Sequence, residues 1–196
     1  MVEMTVTGLA LDASNHSPIV LLRDASGRRQ VPIWIDNSQA HNIIAGLKRE
    51  QSDRPLTHDL IISLLVAAEL SLSKVIIHAI EDNAFKAVLK LRSNKSTDSE
   101  SKNTHDKDKP LIEIKARPSD AIALAIRTKC SIWMLEQVVS EASIPVNEEA
   151  DAEDQNEFKR FLDDLRPADL IRHLKKSHQV DKEPPESPQS NSDKEG

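Results

Sequence analysis

The sequence predicts an α+β domain: a mixed, mainly antiparallel sheet of about six or seven strands packed by three helices, with a short C-terminal helical extension. Three observations predict it. Short apolar runs come in pairs separated by turn residues, segments with hydrophobic residues at helical spacing stand between those pairs, and no repeat of roughly 20–50 residues is present. With 196 residues, 38% of them hydrophobic and 30% charged, the chain suffices for one domain of ordinary size and a polar excess.

The first two strands are Met4–Leu11, with Val6, Leu9 and Leu11, and the run Pro18–Leu22. Ala25–Ser26–Gly27 supplies turn chemistry before Gln30–Ile35, so the second and third strands form a hairpin. In that third strand Val31, Ile33 and Ile35 share one face and Pro32 and Trp34 the other, which predicts cover on both sides, by helices and by another subunit. Asn37 or Ser38 caps a helix whose Ala40, Ile43, Ile44 and Leu47 fall on one face. Thr57 stands as an N-cap before a second helix, Leu60 to Ala68, hydrophobic enough to be central. Lys74–Ile80 and Phe85–Leu91 make another hairpin around Glu81–Asp82–Asn83.

Residues 93–109 hold no large apolar side chain and read as a solvated insertion. A strand follows at Pro110–Ala116, then a helix from Pro118–Ser119–Asp120 through Ile126, a strand at Ser131–Leu135, and a short helix from Gln137 to Ser143. These boundaries divide the chain into a domain over residues 1–145, an acidic linker with two short helices around Phe158–Leu165 and Leu170–Leu174 over 146–176, and a disordered tail over 177–196.

Charge is distributed unevenly. Residues 147–196 carry 14 acids and 8 bases, which is the whole net charge of -6, so the body is neutral and its C-terminal part acidic. A basic protein partner is the natural complement of such a tail, whereas a body that gripped nucleic acid by phosphate neutralisation would be basic. With no tyrosine, three phenylalanines and two tryptophans, the chain offers little from which to build a stacking platform, so composition favours nucleic acid as a transient substrate over tight binding. The longest charge-free apolar stretch, Leu60 to Ala68, is far short of the roughly 20 residues that span a bilayer, and no signal-like segment opens the chain. The expectation is a cytoplasmic protein without a membrane partner. A single cysteine, Cys130, leaves carboxylates and histidines as the metal ligands to consider.

Phosphate-binding glycine loops, Gly-x-Ser-x-Gly elbows and His-Glu-x-x-His motifs are absent from the sequence. Two polar clusters precede apolar helices instead: Asp53–Arg54–Pro55–Leu56–Thr57–His58–Asp59 and Arg117–Pro118–Ser119–Asp120. Brought together, Asp59 and Asp120 can hold a divalent cation such as magnesium or manganese or act as general base. His58 can ligate it or shuttle a proton, and Arg54 and Arg117 can orient a phosphate with Ser119 beside them. That is a constellation for phosphodiester hydrolysis. The same residues also suit plain architecture, because Thr57 and Ser119 are ordinary caps and an acid in a first helical turn is favoured by about 0.3–1 kcal/mol.

Val31–Pro32–Ile33–Trp34–Ile35, Arg54–Pro55–Leu56–Thr57–His58–Asp59–Leu60 and Ala116–Arg117–Pro118–Ser119–Asp120–Ala121–Ile122–Ala123–Leu124–Ala125 closely resemble the bifunctional nuclease domain family, in order and spacing, over about residues 4–140. The C-terminal helices are similar to the extension of cyanobacterial and plant-type members. The resemblance implies an α+β fold that forms homo-oligomers and a nuclease acting on RNA and DNA. It carries over Arg54, His58, Asp59, Arg117, Ser119 and Asp120 by position. The chain departs from the family pattern at Asp36 and Gln39, where glycine and glutamate are usual, and at Lys115, where an aspartate is frequent. Two lost carboxylates weaken a metal site and leave Asp59 and Asp120 as the acids to test, with Asp36 as a substitute. The alternative function is a non-catalytic homo-oligomeric scaffold or regulatory binding module.

Overall fold

The computed structural model describes residues 1–49, 54–94 and 112–146, with 156 and 160 in addition. The chain divides into two units, Met1–Phe158 and Lys159–Gly196, and the fold below is that of the first. Its strands are β1 (Val2–Leu11), β2 (Pro18–Asp24), β3 (Arg29–Trp34), β4 (Leu70–Glu81), β5 (Ala84–Ser93), β6 (Ile112–Ala116), β7 (Ser131–Met134) and β8 (Ile144–Pro145). Its helices are α1 (Asn37–Lys48), α2 (Thr57–Ala67), α3 (Pro118–Thr128) and α4 (Glu136–Ala142). The fold is α+β, as the sequence predicts, with the two-residue edge strand β8 beyond the six or seven expected.

All eight strands form one sheet in the order β6-β5-β4-β7-β1-β2-β3-β8. Each neighbouring pair is antiparallel except β4 and β7. That parallel pair follows from α3, which carries the chain from β6 over β5 and β4 into the slot beside β1. The two meanders are closed by short turns. Gly27 supplies a positive φ of 71° after β2, and Asp82 and Asn83 both take positive φ in the two-residue turn between β4 and β5. The sheet is strongly coiled: α4 packs against both β3 and β4, although β7, β1 and β2 separate them.

α3 packs against β4, β5 and β7, with α1 and α2 as its neighbours. It is the central helix, contrary to the expectation that α2 would be. Ser119 and the run Ala121 to Ala125 are buried, and three alanines let α3 approach the sheet closely. α2 is more hydrophobic but buries only His58, and its outer side chains Leu60, Leu64 and Val66 are 50%, 60% and 68% exposed. The outer side of this helix is an exposed apolar surface, which the burial of His58 on its inner side leaves uncovered.

The caps also correct the sequence reading. Asp36, not Asn37 or Ser38, caps α1: its Oδ1 accepts the Gln39 N–H at 2.8 Å, and Gln39 Oε1 accepts the Asp36 N–H at 3.0 Å. Thr57 and Ser119 lie inside α2 and α3 rather than capping them; Leu56 and Arg117 are the flanking positions, the latter because Pro118 takes the first helical position and keeps the residue before it extended. β5 extends through Ser93, one residue into the predicted insertion. Residues 95–109 of that insertion, the linker helices apart from residues 156 and 160, and the tail lie outside the described residues.

Candidate functional site

The N-terminal turns of α2 and α3 meet, as the two sequence clusters require for a joint site. His58 is buried and its Nε2 lies 3.3 Å from Asp120 Oδ1. Arg117 donates to the same carboxylate, from Nε to Oδ2 at 2.8 Å and from Nη2 to Oδ1 at 3.3 Å. His58 Nδ1 is buried without a partner, so hydrogen-bond geometry assigns the Nε2–H tautomer donating to Asp120. The ring nitrogen that could take a proton is thereby walled off from water. His58 positions Asp120 and does not reach solvent itself; the half-buried Asp120 does.

Asp59 points elsewhere. Its Oδ1 accepts from Arg127 Nε at 2.8 Å and its Oδ2 from the Leu56 N–H at 3.1 Å. Arg127 lies seven residues after Asp120, about 10 Å farther along α3. The two acids sequence analysis pairs as cation ligands therefore face different partners. Among the described residues no three His, Cys, Asp or Glu side chains gather around a common point. Placed in this way, Asp59 and Asp120 do not fit a shared divalent cation. Asp36 cannot substitute, because its carboxylate holds the start of α1 through Ser38 and Gln39. Burial raises the Asp36 pKa, and those hydrogen bonds with the nearby Arg117 charge outweigh it, so the group sits below the ordinary carboxylate value. Gln39 keeps the reciprocal half of the capping box, which glutamate or glutamine performs equally.

Arg127 was not singled out by the sequence. Its side chain is 7% exposed, and Nη1 donates to the carbonyls of Asn42 at 2.8 Å and Ala123 at 3.1 Å, tying α1, α2 and α3 at one point. The close α1–α3 approach rests on Gly46, where an added Cβ would stand 2.7 Å from Arg127 Nη1. An arginine in the last turn of an amphipathic helix gives no sequence signal that distinguishes it from a solvated dipole partner.

Arg117 and Ser119 lie on the wall of an open groove of about 530 Å³ between the end of β3, the β4–β5 turn and the β6–α3 junction. Trp34, Phe85, Lys86 and Lys115 line it as well. Four strands separate β3 from β5, so the coiling of the sheet is what brings these side chains together. Two of the five aromatics and three cations converge here, a concentration that the neutral, aromatic-poor composition conceals. The Lys115 departure from the family pattern falls on this wall. Arg54 is exposed before α2 and is not a groove residue.

A family model described as the bifunctional nuclease domain matches residues 20–147, which runs from within β2 through β8 and takes in both helix starts. The chain belongs to the bifunctional nuclease domain family. Two relatives from Mycobacterium tuberculosis, uncharacterized proteins of strains CDC 1551 / Oshkosh and ATCC 25618 / H37Rv, are each 33% identical over 178 residues, covering 87% of this chain and 98% of theirs. Arg117, Ser119, Asp120 and His58, which the motifs single out, thus lie in the shared domain.

Proposed function

We propose that this family member is a nuclease that hydrolyses phosphodiester bonds of RNA and DNA at the start of α3. The observation that carries the reading is that Arg117 lies on the groove wall while bound to Asp120, which is bound in turn to the buried His58. A phosphodiester entering the groove competes with Asp120 for the Arg117 guanidinium, which matches phosphate oxygens as well as a carboxylate. The first turn of α3, with Ser119, favours the same anion. Asp120 Oδ2, released by Arg117 while His58 still holds Oδ1, accepts a proton from the attacking water. A bond forms between the water oxygen and phosphorus, the opposite ester bond breaks, and the leaving oxygen takes a proton from solvent. Arg117 stabilises the charge gathered on the phosphoryl oxygens.

The test is cleavage of labelled single-stranded RNA and DNA by purified protein, with magnesium, manganese or EDTA, beside Arg117→Met prepared identically. The reading expects cutting of both polymers and its loss in the variant, and the cation series reports whether a metal takes part. Absence of cutting, or equal cutting by the variant, refutes it.

The outer face of α2 supports homo-oligomers, because the exposed Leu60 and Leu64 stand one turn apart and form an apolar patch that an identical copy can match. A second reading, a non-catalytic homo-oligomeric scaffold or regulatory binding module, is favoured by the internal pairing of both acids, Asp59 with Arg127 and Asp120 with Arg117. On that reading the acidic segment from residue 147 onward recruits a basic protein.

A further inference from the structure

Trp34 presents an arrangement that packing alone does not require. It is 55% exposed although it lies on a strand whose Val31, Pro32 and Ile33 are buried. Its indole Nε1–H donates to Asp12 Oδ2 at 2.8 Å, and the same carboxylate is held by the Ser14 hydroxyl and backbone N–H. The hydrogen bonds from Ser14 and Trp34 bring the Asp12 carboxyl down to about 2, so it is an acceptor at any working pH. The loop between β1 and β2 thus fixes the orientation of a large, half-bare ring on the groove wall. Phe85, Lys86, Lys115 and Arg117 line the same groove.

We propose that this groove takes single-stranded nucleic acid, with an unpaired base stacked on Trp34 and backbone phosphates held by Lys86 and Lys115 as the strand passes to Arg117. An exposed aromatic face combined with clustered cations is what an unpaired nucleotide requires, because the ring offers a π-face to any base and the ammonium groups take its phosphates. A duplex keeps its base faces stacked inside and cannot use the plate. A groove of about 530 Å³ has the scale of one or two nucleotides and does not enclose a double helix. An acidic peptide satisfies the lysines but leaves Trp34 without a planar partner. The inference rests on the nuclease reading for the direction of the strand, not for its binding.

The test titrates the full chain with oligo-dT and oligo-U, following tryptophan emission, and with a hairpin duplex of equal charge and polyglutamate as comparisons. Trp133 serves as an internal reference, since it does not line the groove. The expected result is quenching by both single strands, weakened by salt, with the duplex and polyglutamate bound at least tenfold more weakly. Measured by anisotropy of labelled oligo-dT, Trp34→Ala lowers affinity by about 5- to 100-fold, whereas Trp34→Phe removes the quench and keeps most of the affinity. Asp12→Ala weakens binding less and increases the motion of Trp34 in fluorescence anisotropy while the circular dichroism of the folded protein stays unchanged, which separates a freed ring from loss of fold. No quenching, equal affinity for duplex or polyglutamate, or unchanged binding in Trp34→Ala overturns the inference. If RNA and DNA are still cut in that event, the nuclease reading stands alone. Quenching and strand preference without any cutting leave the groove assigned and remove the nuclease.

Discussion

Replacing Arg127 with methionine separates architecture from chemistry in the two motif acids. The variant keeps the apolar stem and removes three hydrogen bonds: Nε to Asp59, and Nη1 to the carbonyls of Asn42 and Ala123. A hydrogen bond to a charged partner is worth about 1.5–3 kcal/mol. The Asp59 contact belongs below that range, because Asp59 is 39% exposed and water replaces the lost donor. The two carbonyls lie within α1 and α3 and keep their helical partners, so their loss leaves nothing buried and unmet. Relief of the buried guanidinium's desolvation offsets part of the remainder. The net cost is about 2 kcal/mol, a midpoint shift near 1 M in urea for a domain of this size. The assay is equilibrium unfolding at fixed protein concentration, with cleavage measured per folded molecule. A cost under about 0.5 kcal/mol, or a loss of cleavage larger than the unfolded fraction explains, would refute the division of labour between Arg127–Asp59 and Arg117–Asp120.

Three further outcomes follow from the same geometry. Gly46→Ala, a change that gains about 0.5–1 kcal/mol in an ordinary helix, is destabilising here because its Cβ displaces Arg127 Nη1, and in urea unfolding its cost is not additive with that of Arg127→Met. Leu60→Lys combined with Leu64→Lys lowers the molar mass seen by sedimentation while changing the stability of each folded protomer little, since both side chains are exposed; an unchanged mass removes α2 as the interface. Asp24 is buried: burial raises its pKa, but hydrogen bonds from Ser26 and Arg29 prevail and hold it below the ordinary carboxylate value. A depressed folded-state value contributes stability above the unfolded value near 4 that disappears as pH falls through the folded value. Asp24→Asn therefore flattens the fall in stability between pH 5 and pH 2, read by urea midpoints at each pH, and an unchanged slope contradicts this assignment.

Periodicity and turn chemistry sufficed for most of the fold. The hairpins at Gly27 and at Asp82–Asn83 and the helix starting at Pro118 are local statements, and local residues decide them. What escaped was set by distance. β8 is two residues long and exists because β3 needs an edge partner, which no window of sequence contains. The burial ranking of α2 and α3 inverts their hydrophobicity, because small side chains determine which helix fits against the sheet. In the site, the pairing of His58 with Asp120 joins two motifs that sequence analysis had already placed at helix starts, whereas Asp59 turns toward Arg127, a residue outside both motifs. The groove was hidden for a related reason: five aromatics are few on average, but coiling of the sheet sets Trp34 and Phe85 among three cations.

The most direct measurement compares Asp120→Asn and Asp59→Asn, purified in parallel, for cleavage of one labelled single-stranded RNA per folded molecule. Both substitutions keep shape and a hydrogen-bond acceptor, so neither need unfold the domain. The account predicts that Asp120→Asn loses cleavage by at least about 100-fold, within the usual worth of a general base, while Asp59→Asn cuts within a small factor of the unmodified protein. Equal retention in both variants, or equal loss, would contradict the placement of the reaction at Asp120.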